Sequence, residues 1–252
     1  MVNIITGINS FQEVVELIDI SDEFYFGLRF ISNHREYFEN LNLEYIDTAF
    51  KIIDFVRKKN KRIYFVANEI YRLDELKKVY EVIEKLVRRG LSGVIIRDIN
   101  LGFRIRKLTD IILSSTALVF NSGTLEFYKN IFPLRRVIIP QHLSLKDARN
   151  LVLKNKDVEF EIFYLPEIYC SNVDGTCLFH IFDETKNKMG CFYDFFINNK
   201  NFKPFKPSFN LRIKVIKEWI KMGVSSIKIP RDYTTSKKIE VITKIKSEYI
   251  ND

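Results

Sequence analysis

Short apolar runs rich in Val, Ile, Phe and Tyr alternate with longer amphipathic stretches from one end of the chain to the other. Runs that are apolar at successive positions, rather than at every second one, read as strands buried on both faces, as in a parallel sheet. They predict strands over Asn3–Thr6, Glu23–Gly27, Arg62–Ala67, Gly93–Arg97, Ile111–Ser114 (with an extension toward Val119), Arg136–Pro140, Val158–Phe163 and Ser226–Ile229. The stretches between them follow the helical period. Ser10 reads as an N-cap, with Glu13 three residues on, before Val14, Val15, Leu17 and Ile18. Leu43–Lys59 carries Ile46, Phe50, Ile53 and Val56 on one face, and Leu73–Arg89 carries Leu76, Val79, Val82, Ile83 and Leu86 before stopping at Gly90. Further helices are predicted at Phe103–Leu108, Thr124–Asn130, Leu145–Leu153, Leu211–Met222 (ending at Gly223) and Ser236–Tyr249.

Strand alternating with helix implies a parallel sheet, and eight such units in a chain of 252 residues predict an α/β fold of the TIM-like (β/α)8 barrel type. The competing doubly wound sheet calls for a glycine-rich phosphate turn after the first strand, and Thr6-Gly7-Ile8-Asn9 is not one. The expected organisation is one barrel domain over residues 1–252, with 164–225 as an insertion after the seventh strand. About sixty residues there separate strands that usually lie two to six residues plus a helix apart. Loops that follow barrel strands lie at the C-terminal mouth, where barrel active sites are built.

Composition adds a class and excludes others. Hydrophobic residues are 46% and charged residues 29%, enough for a full core and incompatible with disorder. The longest apolar runs, such as Val94-Ile95-Ile96, are far short of a membrane helix, so no membrane insertion is expected. Met1-Val2-Asn3-Ile4 lacks the basic and apolar regions of a secretory signal, which makes the expected location cytoplasmic. The net charge of +8 fits an anionic partner such as RNA, although a Lys-, Ile- and Asn-rich composition also follows from an AT-rich genome. All three cysteines, Cys170, Cys177 and Cys191, fall inside the insertion. An odd number of clustered thiols in a cytoplasmic-looking chain points to metal or cluster ligation rather than disulfides.

The cysteine constellation is Cys170-Ser-Asn-Val-Asp-Gly-Thr-Cys177, followed by Met189-Gly190-Cys191. Thiolates are soft charged donors that suit iron–sulfur clusters and zinc, and Gly175 and Gly190 allow the tight turns that let sulfurs face one centre. Together with Glu159-Phe-Glu-Ile-Phe163 upstream, this stretch resembles the core of the peptidase U thirty-two family of collagenase-like proteins. Relatives in that family include prephenate-dependent tRNA uridine hydroxylases and paired anaerobic ubiquinone-biosynthesis hydroxylation proteins. Phe24-Tyr25-Phe26-Gly27-Leu28-Arg29, Val66-Ala67-Asn68, Gly93–Asp98, Asn121, Arg136–Ile139 with Leu143-Ser144-Leu145, and Gly223–Ile229 resemble successive family strands in order, so the likeness covers nearly the whole chain.

The resemblance implies a TIM-like barrel and, in the hydroxylase branches, a 4Fe–4S cluster held by four cysteines. Cys170, Cys177 and Cys191 match three of them. Where relatives place the fourth, this chain has Phe195, Asn210-Leu211-Arg212 or Ile31-Ser32. The cluster then keeps an open iron, takes a non-cysteine ligand, or is absent. His180, three residues after Cys177, makes the set Cys3His, which is also a structural zinc set. The family's Arg-Glu-Leu-Ser pattern is Gln141-His142-Leu143-Ser144 here, and the Glu of its Lys-Ile-Glu-Gly-Arg pattern is Pro230. The chain is also expected to lack the extra C-terminal domain of the longer tRNA-modifying relatives.

Other candidates fall at the predicted C-terminal ends of strands: Asn68-Glu69, Asp98, Ser115-Thr116, Gln141-His142 and Arg231-Asp232. Asp98 is an acid–base group or else a cap for the next helix. His142 follows a strand directly and is a catalytic or ligand candidate, with a surface histidine as the competing reading. His34, beside Asn33 and Arg35, reads as solvated. Tyr25, Phe26, Phe30, Tyr37 and Phe38 with Arg29 and Arg35 offer base-stacking groups, although core packing explains most of the aromatics. No Gly-x-Ser-x-Gly elbow or His-Glu-x-x-His helix is present to support a peptidase mechanism.

The expectation is an oxygen-independent, iron–sulfur hydroxylase or hydroxylase subunit acting on RNA or an aromatic ring, with a homologous barrel as a partner in a heterodimer. The first alternative is a degenerate zinc-binding or metal-free scaffold, and the last is a peptidase.

Overall fold

The structure, a computed structural model, describes residues 2–34, 41–140, 143–164, 195–197, 200–202 and 208–250. Eight strands, all paired in parallel, close a barrel: β1 (Asn3–Gly7), β2 (Glu23–Phe26), β3 (Arg62–Ala67), β4 (Gly93–Ile96), β5 (Asp110–Leu113), β6 (Leu134–Ile138), β7 (Glu159–Phe163) and, after the hairpin β8 (Phe195–Ile197)–β9 (Lys200–Phe202), β10 (Ser226–Ile229). Each pairs with its sequence neighbour in the barrel, and β10 closes the ring between β7 and β1. The expected (β/α)8 barrel is thus the observed fold.

Helices pack outside this ring: α1 (Phe11–Leu17), α2 (Ile46–Lys58), α3 (Leu73–Arg89), α4 (Ile99–Ile105), α5 (Ser122–Ile131), α6 (Leu145–Lys154), α7 (Phe209–Lys221) and α8 (Thr235–Ile250). Their starts are set by short polar side chains. Ser10, Asp98, Asn121, Ser144 and Ser208 each accept a first-turn backbone N–H, satisfying a donor that has no partner within the helix. α3 buries Leu76, Val79, Val82, Ile83 and Leu86, and ends where Gly90 takes the left-handed φ of 101° that a side chain disfavours. Among the described residues no helix is long and apolar enough to cross a membrane.

Two local expectations move. The helix expected at Phe103–Leu108 begins instead at Ile99, because Asp98 caps it there. The strand from Ile111 does not continue to Val119. Ser114 accepts the Thr116 N–H, and Ser115–Ala117 forms a 3-10 turn that ends with Leu118 at φ 59°.

The strands are buried on both faces, yet the chemistry of the two faces differs. Residues such as Ile4, Phe24, Phe26, Ile63, Phe65, Val94, Ile96, Val137, Ile227 and Ile229 face the helices and form the main core. The alternate positions face the barrel interior, where Ile5, Tyr25, Tyr64, Val66, Ile95, Ile112 and Ile138 form a second, smaller cluster. That interior also holds charges. Glu23, Arg136, Glu161 and Lys228 are all at most 3% exposed.

Candidate functional site

The C-terminal ends of the strands enclose a cavity of about 50 Å³. It has room for a few waters among the described residues. Tyr25, Val66, Ile95, Ile138 and Phe163 wall it from the strands. Asn68, Ser114, Ser115, Thr116, Arg231, Asp232 and His34 ring it, and Lys228 stands at its base with Pro230 beside it.

Lys228 is positioned from below. Its Nζ donates to Glu161 Oε1 at 2.9 Å and lies 3.8 Å from the centroid of the Tyr25 ring. The other oxygen of Glu161 accepts from Arg136 Nη1 at 3.2 Å. Arg136 in turn reaches Glu23 (2.7 Å) and Glu159 (2.6 Å). Burial pushes the Lys228 ammonium below its ordinary value against the pull of Glu161, and the Arg136 and Arg231 cations push the same way as burial. Burial also opposes the Arg136 charge, but Glu161 and Glu23 hold it above the usual guanidinium range.

Arg231 ties the rim together. Its Nη1 donates to Leu41 O at 3.1 Å and to Asn42 Oδ1, its Nη2 donates to Asn33 Oδ1 at 3.0 Å, and its own carbonyl accepts from Asn9 Nδ2 at 2.9 Å. Asn33, Leu41 and Asn42, from the segment after β2, are thereby pinned to the end of β10. Gly27 makes room for this clamp, since a Cβ there would collide with the Arg231 guanidinium and with Asn42. Behind the clamp, Lys238 of α8 donates to Gly7 O at 2.7 Å and pairs with Glu13 of α1.

Of the residues singled out from sequence, Asn68, Ser115, Thr116, Arg231 and Asp232 line the cavity. Asn68 accepts the His34 backbone N–H at 3.0 Å and donates to Ser114 Oγ at 3.2 Å. Asp98 is a cap. Its Oδ1 accepts the Leu101 N–H (3.0 Å) and its Oδ2 accepts the Tyr71 N–H (2.9 Å), so both oxygens serve the backbone. His34 corrects an expectation. It is not a solvated loop residue but a lining residue of the cavity, 22% exposed, with Nδ1 3.6 Å from Glu69. Tyr25 contributes a wall of the cavity, and its hydroxyl donates to Ile229 O at 3.1 Å. His142, Cys170, Cys177, His180 and Cys191 lie outside the described residues. Among the described residues, no group of three or more His, Cys, Asp or Glu side chains is arranged to hold a metal ion.

Sequence reasoning passed over the interior charges. The signal was present as ionisable residues at alternate positions of otherwise apolar strands, in Glu23-x-Tyr25, Glu159-x-Glu161-x-Phe163 and Ser226-x-Lys228.

These features define a (β/α)8 barrel protein with a cavity of apolar walls and polar rim at its C-terminal mouth. The chain belongs to Peptidase family U32, whose family model matches residues 9–252. It is 28% identical over 189 residues to an uncharacterised protease of Methanocaldococcus jannaschii, a match covering 70% of this chain and 43% of that relative. The chain therefore spans less than half the length of that relative. Among solved structures it is similar to a U32 peptidase, with a TM-score of 0.60 and 11% identity over 91% of this chain and 92% of the other. It is also similar to a tryptophan synthase α-subunit from Pyrococcus furiosus, with a TM-score of 0.56 and 9% identity over 97% and 98% of the two chains. At these identities the structural likenesses show the barrel fold alone.

Proposed function

We propose that this U32-family barrel is a hydroxylase-type enzyme or enzyme subunit working at its C-terminal mouth, with Cys170, Cys177 and Cys191 as ligands of an iron–sulfur cluster. One observation carries the reading. The segment that bears the three thiols leaves the barrel directly after β7, whose last residue, Phe163, lines the mouth cavity. Three soft thiolates suit iron better than any donor group among the described residues, and His180 completes a Cys3His set that equally suits zinc. When bound, a cluster supplies electron transfer or an open coordination position.

The described residues then have their own tasks. Tyr25 and Phe163 offer aromatic walls to a flat ring, and Asn68, Ser114 and Thr116 offer hydrogen bonds to its polar edge. Arg231 holds the rim in place. An RNA base or a free aromatic ring as substrate, and a homologous barrel as partner, belong to the same reading.

A scaffold reading draws on Pro230, which lines the cavity where the resemblance calls for a glutamate. A peptidase reading finds less. Ser114 Oγ is held by Asn68 and Thr116 and not by a histidine.

Purification without oxygen, followed by a visible spectrum and iron and sulfide counts, tests the proposal. A coloured protein that loses its iron on substituting Cys170, Cys177 or Cys191 by Ser is the expected result. A colourless protein with one zinc per chain supports the scaffold, and a metal-free protein that cleaves peptides supports the peptidase.

A further inference from the structure

We propose that Lys228 is an amine nucleophile at the base of the mouth cavity, placed to take the carbonyl group of a small aldehyde or ketone as an imine. Its position is the first ground. Lys228 is 3% exposed, and it is a lysine that lines the cavity. The other lysine that is as deeply buried, Lys238, lies outside that lining and donates to both Gly7 O and Glu13.

The hydrogen bonding is the second ground. An ammonium has three N–H groups and buried ones are normally all satisfied. Lys228 Nζ donates one hydrogen bond among the described residues, to Glu161, and otherwise faces the Tyr25 ring. One acceptor suits a neutral amine, which keeps a lone pair free for attack.

The partners of Glu161 are the third. Arg136 pairs with Glu161 as well as with Glu23 and Glu159, while Arg62 adds a pair to Glu23 and Arg135 adds pairs to Glu159 and Asp110. Glu161 therefore keeps a guanidinium partner when Lys228 gives up its proton. The groups that face the amine are Glu161 from β7, Arg136 from β6, Arg231 after β10, and Tyr25 from β2, with His34 and Asp232 on the cavity rim. Burial and the two flanking cations all favour the uncharged form, and among the described residues Glu161 is the one carboxylate opposing them within hydrogen-bond reach.

The chemistry balances without an oxidant or reductant. The Nζ lone pair attacks the carbonyl carbon, and the C=O π pair moves to oxygen, which takes a proton from the nitrogen. Loss of that hydroxyl as water, with the second nitrogen proton passing through Glu161, leaves a C=N bond. One amine and one carbonyl thus give one imine and one water.

The full chain is incubated near neutral pH with pyruvate and, separately, acetaldehyde, each with sodium cyanoborohydride, and the adducts are located by peptide mass spectrometry. Lys228 is expected to be alkylated at least about tenfold faster than exposed lysines such as Lys77 and Lys85, with the Lys228→Arg protein losing that adduct. Glu161→Gln, which keeps the amine and removes the proton acceptor, is expected to slow the reaction. Wild-type protein in which Lys228 is no more reactive than the exposed lysines from mildly acidic to mildly alkaline pH overturns the proposal, and needs no variant to fold. Iron content is measured on the same samples. The proposal does not rest on the cluster, so labelling of Lys228 and iron binding fail or succeed separately.

Discussion

Arg136 on β6 reaches Glu23 on β2 at 2.7 Å, although the two strands stand diametrically opposite each other in the closed ring. One guanidinium therefore spans the barrel interior, touching Glu159 and Glu161 on the neighbouring strand on its way. Desolvating so many charges offsets much of their attraction, so the network is better evidence for a fixed interior than for added stability. Removing one member is another matter, since it strands the rest. Arg136→Met is expected to destabilise the fold by about 3–5 kcal/mol in urea unfolding. Arg136→Lys is expected to rescue little, because an ammonium cannot fork between carboxylates on opposite walls. A loss below about 1 kcal/mol for both would show that the span is not formed.

The buried lysine at the cavity base has a signature in the pH dependence of stability. Its folded value lies below the ordinary 10.5 that it regains on unfolding. Between those two values the unfolded chain binds more protons than the native one, so stability rises with pH through that window. Wild-type protein is therefore expected to gain stability relative to Lys228→Met as the pH rises toward the ordinary lysine value. Parallel stability curves for the two proteins would contradict this.

Asp98 carries its weight through the backbone. Its carboxylate caps α4 through the Leu101 N–H and also holds the Tyr71 N–H. Asp98→Ala is expected to cost about 2 kcal/mol, from a lost cap and a buried amide left without a partner. Asp98→Asn, which keeps one acceptor, should cost less. If thermal unfolding shows both to be neutral while activity is lost, the residue is chemical after all.

Arg231 predicts a local effect. It binds Leu41 O, Asn42 Oδ1 and Asn33 Oδ1, and the same segment is tied to the barrel by Leu43 N–H to Gly27 O and Arg29 N–H to Leu43 O. Arg231→Ala is expected to speed hydrogen exchange at the Arg29 and Leu43 amides by about tenfold or more, with the β3 amides unchanged. Uniform acceleration across the barrel would mean that the side chain supports the whole fold and not the rim.

Much of the fold could be read along the chain. Hydrophobic period located each of the eight barrel strands within two residues, and Ser10 and Gly90 marked helix ends where they are found. Local signals suffice there because a cap or an apolar face acts within a turn or two of its own sequence. The site was less legible. Asn68 and Arg231 were found because a strand end places them, while His34 was read as solvated, because the contact that seats it comes from Asn68 on another strand.

The sequence by itself determined the alternation of strand and helix, and with it the barrel, because hydrophobic periodicity and capping are properties of neighbouring residues. It also placed Asn68, Ser115, Thr116, Arg231 and Asp232 at the mouth. Tertiary structure alone decided that Glu23, Arg136, Glu161 and Lys228 meet inside the ring. A charge in a strand reads the same whether it faces solvent or a partner more than a hundred residues away, and only closure of the barrel brings those charges out of water together.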